Sequence, residues 1–440
     1  MKYDKFFALA KEKGIQECDL NITESYSLSF SLFHGEVDDY QNNNGYSIIA
    51  RGLVNGKFGT AVCDAWDSKK AEFLVNEILA NAKVIEDEDP MFIFKGSEKY
   101  HKINPFNKEL HVISIDEKLR ALHELEKAIK EGDKRISEVA SVSYSEKRTT
   151  FTLLNSHGLK LSQKINYFFV MGQAVAKERD QVKSGFDYTL GNDFSKFDIK
   201  GLAKDIIKSA TEQLGGEACK SGEYKTVLAN NVVADLVGAY VSSADAEEVQ
   251  KHTSLFAGKL GQKIASSKLT IEDKPMAKTL FSRYFDDEGV ATYNKPIIKN
   301  GVLQTYLYNL TTAAKENRES TGNASNGGGK MGVSPTYLFV KPGKKTLDEI
   351  FQEIGDGVYI TDVQGLHSGL DPQTGNFSLQ ANGFLVKNGK KDHALDVITV
   401  SGNLMKLFND VTCVASNIKT FASAISCPSV LVKKLAIGGK

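Results

Sequence analysis

Hydrophobic spacing divides the chain into blocks of different period. Residues 3–13 carry apolar positions at helical spacing, whereas 25–32 (SYSLSFSL) alternate serine with larger side chains. That period of two marks a half-buried strand. Residues 46–54 and 57–62 flank Asn55-Gly56, a dipeptide suited to a two-residue hairpin because both turn positions need positive φ. Ala71, Leu74, Ile78 and Ala82 form one apolar stripe on a helix over 67–84. Residues 86–105 read as a connector with an acidic run from Glu86 to Asp89. Ser114, with Glu117 three residues on, predicts a capping box and a helix to about Lys130. From 137 to 188 alternation returns, broken by turns such as Asn155-Ser156-His157-Gly158, and predicts an antiparallel meander. Residues 200–214 predict a further helix.

The second half is dominated by strands, with Asn-Gly hairpins at Asn300-Gly301 and Asn388-Gly389. Short helices are expected over 231–241, 346–354 (with a Thr346/Glu349 capping box) and 403–411. Strands joined by hairpins, with helices kept apart from them, argue for an α+β protein with antiparallel sheets rather than a doubly wound parallel one. Gly215-Gly216 and Gly222 punctuate a boundary near residue 220. The expected organisation is an N-terminal α+β domain, 1–218, with subregions of about 1–85 and 110–218. A β-rich domain, 222–440, follows, barrel- or sandwich-like with short helices. Residues 323–332 (NASNGGGKMG) read as a mobile surface loop.

Composition narrows the function. The chain has 440 residues, 41 % of them hydrophobic, enough for more than one sizeable core. Fifty-five basic residues balance 55 acidic ones, which disfavours a protein that grips nucleic-acid backbones. No apolar run reaches the length needed to span a bilayer; the closest, 232–241, is interrupted by Asp235. The N-terminus turns charged too soon for a signal peptide. Five scattered cysteines without a CxxC pair suit free thiols in a reducing cytoplasm. Cys413 and Cys427 lack a nearby basic partner and read as buried thiols.

Candidate chemistry is sparse. His123-Glu124 is the only His-Glu pair, and Lys127 and Ala128 stand where a second zinc ligand would follow; His123 reads as a helix-surface histidine. Gly327-Gly328-Gly329-Lys330 has Met331 where a phosphate loop needs Ser or Thr. The cluster Asp286-Asp287-Glu288-Gly289 reads as a solvated turn between two strands, the alternative being a hard-cation or substrate-amine site. Asp245, Glu247 and Glu248 suit the first turn of a helix.

Longer segments say more. VSSADAEEVQKHTSLFAGKLGQKI (241–264), YFDDEGVAT (284–292), IIKNGVLQTYLYNLTTAAK (297–315) and GVYITDVQGLHSGLDPQTGNFSLQANGFLVKNG (357–389) come in one order. Together with GEVDDYQNNNGYSIIARGLVNGKFGTA (35–61) they resemble the TldD/PmbA family, and in particular its PmbA branch, also called TldE. The resemblance implies a cytoplasmic peptidase system acting on small or unfolded peptides, built from two sister subunits around a cavity. The TldD sister carries zinc on an HExxxH helix, completed by a cysteine. In register through SLFAGKLG, this chain places Leu236, Val237 and Val241 at the positions of the two histidines and the glutamate. None can bind zinc or accept a proton.

The resemblance therefore implies a subunit with no catalytic residue and no metal of its own, zinc being expected in a TldD-like partner. Peptide contacts are expected around Tyr284, Asp286, Asp287, Gly365 and His367. No nucleic-acid or membrane partner is expected. The alternative is a stand-alone homodimeric peptide- or protein-binding module, related to a modulator of gyrase or of a toxin and its antidote. A peptidase with an unrecognised site would draw on His252, Asp286, Asp287 and His367.

Overall fold

The computed structural model describes residues 2–86, 89–326 and 331–440. Part of the acidic run (87 and 88) and the Gly-Gly-Gly-Lys stretch of 327–330 lie outside them. The N-terminal half runs α1 (Asp4–Glu12), β1 (Glu17–Phe33), β2 (Glu36–Val54), β3 (Lys57–Cys63), α2 (Ser68–Val84), α3 (Ile115–Gly132), β4 (Ile136–Asn155), β5 (Lys160–Glu178), β6 (Gln181–Gly191) and α4 (Ile199–Thr211). Its strands form one antiparallel sheet in the order β3-β2-β1-β4-β5-β6. The expected hairpin is made, with Asn55 and Gly56 at φ 51° and 80°. Asp67 caps α2 by accepting the amides of Lys69 and Lys70. Ser114 caps α3 by accepting that of Glu117 at 3.2 Å, the serine half of the expected box; the returning Glu117 side-chain bond is not made.

Strand alternation gives this sheet two unlike faces. On one, Leu20, Ile22, Ile48 and Ala50 pack with Phe6 of α1 and with Leu74 and Ile78 of α2. Further along the same face, Leu28, Phe30, Leu32, Tyr144 and Phe168 pack with Leu125 and Ile129 of α3 and Ile206 of α4. Gly59 lets α2 settle onto β3, since a Cβ there would lie 1.9 Å from the Ile78 carbonyl oxygen. The opposite face meets the second half, with Leu153 and Leu161 packed on Tyr284 and Phe285.

The second half contains β7 (Gly222–Leu228), α5 (Asn230–Val241), α6 (Ala246–Gln250), β8 (Ile271–Asp273), β9 (Lys295–Lys299), β10 (Val302–Leu303), α7 (Leu310–Lys315), β11 (Ala324–Asn326), β12 (Met331–Val333) and β13 (Leu338–Val340). It continues with α8 (Leu347–Ile354), β14 (Gly357–Gln364), α9 (Leu366–Gly369), β15 (Asn376–Lys387), β16 (Lys390–Asn403), α10 (Leu404–Asn409), β17 (Val411–Val414), β18 (Lys419–Phe421), β19 (Ile425–Cys427) and β20 (Val430–Gly438). Strands β16-β15-β14-β7-β20 pair in sequence, and β16 pairs again with β20, which closes a five-stranded barrel. Of the two forms expected, the barrel is the one made. A second sheet has the order β10-β9-β8-β13-β19-β18. The core between them is filled from α5, the barrel interior and α10.

Both later Asn-Gly turns form, with Asn300 and Asn388 at φ 50°, and the Thr346/Glu349 capping box is complete. Asp245 caps α6 by accepting the Glu247 amide. Helix α7 was not expected; its box is made by Asn309 and Thr312, and six residues are too few to show a helical period. The stretch read as a mobile loop instead pairs β11 with β12 on either side of the residues outside the description. Among the described residues, no helix is long and apolar enough to cross a membrane.

Candidate functional site

Helix α5 begins directly after barrel strand β7 and is buried along most of its length. Val232, Val233, Leu236, Val237, Tyr240 and Val241 all belong to the core of the second half. Leu236 is 2 % exposed, and Val237 and Val241 are fully buried. Tyr240 stacks on Phe408 at 4.5 Å and donates to the Ile264 carbonyl at 2.6 Å. Burial pushes its phenol well above the ordinary range. Cys427 of β19 packs against the start of this helix and donates its thiol to the Asn230 carbonyl at 3.0 Å. Burial, helped by the charge of Asp235, raises that thiol far above its usual value. Cys413 is only half-buried, a correction to the expectation of two buried thiols.

A resident zinc does not fit these positions. Three aliphatic side chains offer no donor atom. Among the described residues, no three His, Cys, Asp or Glu side chains are grouped so as to hold a metal ion. His123 is exposed on α3.

The acidic segment after β8 is not the solvated turn expected from its charge. Asp286 and Glu288 are 2 % and 4 % exposed. Asp286 Oδ1 accepts the amides of Glu288 and Val290, and its Oδ2 accepts that of Ala324. Burial, then the neighbouring Glu288, push its carboxyl up to about 7. Glu288 accepts the Leu310 amide at the start of α7 at 2.7 Å and lies 3.5 Å from Arg51 of β2. Arg51 also grips Asp19 of β1 through two hydrogen bonds. Asp287 pairs with Arg283 and accepts the Asn326 amide. The buried charges thus pin the second half to the sheet of the first.

Tyr284 serves the same junction. Its hydroxyl donates to the Ser162 carbonyl at 2.8 Å, and its amide donates to Gln163 Oε1 at 3.0 Å. Beside it lies a cavity of about 270 Å³, walled by Phe151, Gln163 and Tyr167 of the sheet and by Phe281, Arg283 and Asp286. Of the five residues expected to contact peptide, only Asp286 lines this cavity. Gly365 sits elsewhere, at φ 80° at the head of α9, and His367 is exposed on that helix. No hydrogen bond or ion pair joins the two segments among the described residues. Sequence reasoning missed Asp19, Arg51 and Gln163, because single polar residues on one face of a strand look like ordinary solvent-facing positions.

Residues 221–439 match the PmbA/TldA metallopeptidase C-terminal domain, and 108–214 match the central domain. A Thermotoga maritima structure, described as a candidate modulator of a DNA gyrase, is 31 % identical with a TM-score of 0.92 over 99 % of both chains. The chain belongs to the PmbA/TldD metallopeptidase family. Among PmbA relatives, the metalloprotease PmbA homologue of Haemophilus influenzae is 24 % identical over 98 % of this chain and 94 % of its own. The PmbA homologue of Buchnera aphidicola from Acyrthosiphon pisum is 30 % identical over 71 % of this chain and 68 % of its own. TldE from Thermococcus kodakarensis shares the fold, with a TM-score of 0.92 over the whole of both chains at 24 % identity.

Proposed function

We propose that this chain is a PmbA/TldE-type subunit of a cytoplasmic, zinc-dependent peptidase system that processes or degrades small or unfolded peptides. The metal comes from a TldD-like partner, and this chain shapes the cavity in which a peptide is held. One observation carries the reading: Leu236, Val237 and Val241, which the family resemblance sets in register with the sister's metal helix, are buried aliphatic side chains. Of the expected peptide contacts, Asp286 then lines the cavity beside the sheet, with Tyr284 and Asp287 bracing that wall from behind, and Gly365 and His367 form a separate contact at the barrel.

The test is elemental analysis of the purified chain together with a peptidase assay on an unfolded peptide. We expect less than a tenth of an equivalent of zinc and negligible cleavage alone, with cleavage appearing on addition of a TldD-like chain. Stoichiometric zinc in the isolated chain would refute the proposal. A second reading, a homodimeric modulator of another protein, draws on the description of the Thermotoga maritima relative. Purification from native extract separates the two, since only the first requires a TldD-like chain to accompany this one.

A further inference from the structure

The two helix pairs on the first sheet leave a strip of it uncovered. Along β1, same-face residues run Leu20 and Ile22 (buried under α1 and α2), Glu24 (exposed), Tyr26 (half-buried), then Leu28 and Phe30 (buried under α3 and α4). Register extends the gap sideways as two rows of side chains. One row is Tyr46, Glu24, Thr150 and Lys164; the next is Asn44, Tyr26 and Arg148. The result is an open groove of about 430 Å³ with Phe106 on its rim, a size typical of small-ligand clefts.

Its charges are unequally satisfied. Glu24 has Lys2 at 3.8 Å, and Lys2 in turn lies 5.0 Å over the Tyr46 ring. Arg148 stacks on Tyr26 at 5.2 Å. Neither Arg148 nor Lys164 forms an ion pair among the described residues. They stand on neighbouring strands as diagonal neighbours on one face, two residues apart in register, a separation of roughly 7–8 Å that is somewhat less between Cβ atoms. One carboxylate can sit between two such cations. The aromatic rings beside them suit an apolar neighbour of that carboxylate. A polyanion fits less well, because Glu24 occupies the same row as Lys164.

We propose that this groove binds a short peptide through a carboxylate, held between Arg148 and Lys164, with an adjacent apolar side chain against Tyr26 and Phe106. The assignment rests on the peptide-handling role proposed above and adds a ligand class to it. The carboxylate can be a C-terminus or an acidic side chain, and the experiment separates these sources.

Fluorescence anisotropy on the full chain would use dansyl-Gly-Gly-Phe-Glu, the same peptide with only its terminal or only its side-chain carboxylate, and the doubly neutral Gln-amide. At least one carboxylate form should bind ten-fold or more tightly than the neutral peptide, and the preference should shrink with added salt. R148Q/K164Q should abolish that preference, while K196Q, at an exposed lysine on another part of the chain, should leave it intact. Equal binding of all four peptides, an unaltered preference in R148Q/K164Q, or full competition by inorganic phosphate at equal concentration would overturn the inference. These readouts need no TldD-like partner. A chain that stimulates such a partner but shows no carboxylate preference therefore defeats this inference alone.

Discussion

The two faces of the first sheet treat charge in opposite ways. On the face toward the second half, Asp19, Arg51 and Glu288 are almost wholly buried and bonded to one another. On the helix-bearing face, Arg148 and Lys164 stand exposed without a carboxylate partner among the described residues. Cover, rather than face, decides the difference. Where α3 does overlie the strands, Lys118 is buried and pairs with Glu146 at 2.6 Å. A charge taken out of water costs several kcal/mol unless it is paired, so covered positions are saturated internally. Only the uncovered strip can keep cations in reserve for another molecule.

Breaking the covered side should have the largest effect. Arg51→Met leaves Asp19 and Glu288 buried without their cation, a loss of about 3–5 kcal/mol. Because Glu288 also holds the first amide of α7, the damage should reach both halves. Thermal unfolding followed by circular dichroism should show a fall of several degrees. A change within about 0.5 kcal/mol would mean that the junction is held by its apolar contacts alone.

The contrast explains which features were legible beforehand. Turns were readable because Asn-Gly carries its own backbone requirement, and all three such hairpins form. Caps were readable for the same local reason at Ser114 and Thr346, the box being complete at Thr346 and only its serine half made at Ser114. The barrel closure was not, since it depends on β16 meeting β20 some thirty-five residues later. The acidic cluster misled because its local composition matches a solvated turn. What buries it is a sheet more than a hundred residues earlier in the chain. For the metal helix, the residues alone said only that 231–241 is apolar; the family register gave Leu236, Val237 and Val241 their meaning.

A smaller and pH-dependent effect should come from Asp286. Its carboxyl is raised to about 7 by burial and by Glu288, against 3.8 for the ordinary group. Between these values the folded chain holds a proton that the unfolded chain has released, so stability falls as pH rises through this window and levels off above it. Asp245, raised to about 6 by burial, acts in the same direction, and the difference between wild type and a variant isolates Asp286. Asp286→Asn should cost about 1–2 kcal/mol near pH 5, where one of its three amide partners loses an acceptor. It should also flatten the decline in melting temperature from pH 4 to 7. A variant whose pH profile runs parallel to wild type would show that Asp286 does not titrate there; Lys295 and Glu288, the charged groups facing it, would then be the next to vary.

The smallest effect on stability belongs to the uncovered strip. R148Q/K164Q removes two exposed cations whose loss leaves no buried partner behind, and it relieves their mutual repulsion. Surface changes of this kind usually stay within about 0.5 kcal/mol, and the Tyr26 contact of Arg148 contributes at most about 0.5–1 kcal/mol at an exposed site. The melting temperature should therefore stay within a degree or two of wild type, from low salt to high. A marked loss would mean that these side chains are structural after all, saturated by contacts that close over the strip. The sheet would then have no uncovered side, and the contrast between its two faces would disappear.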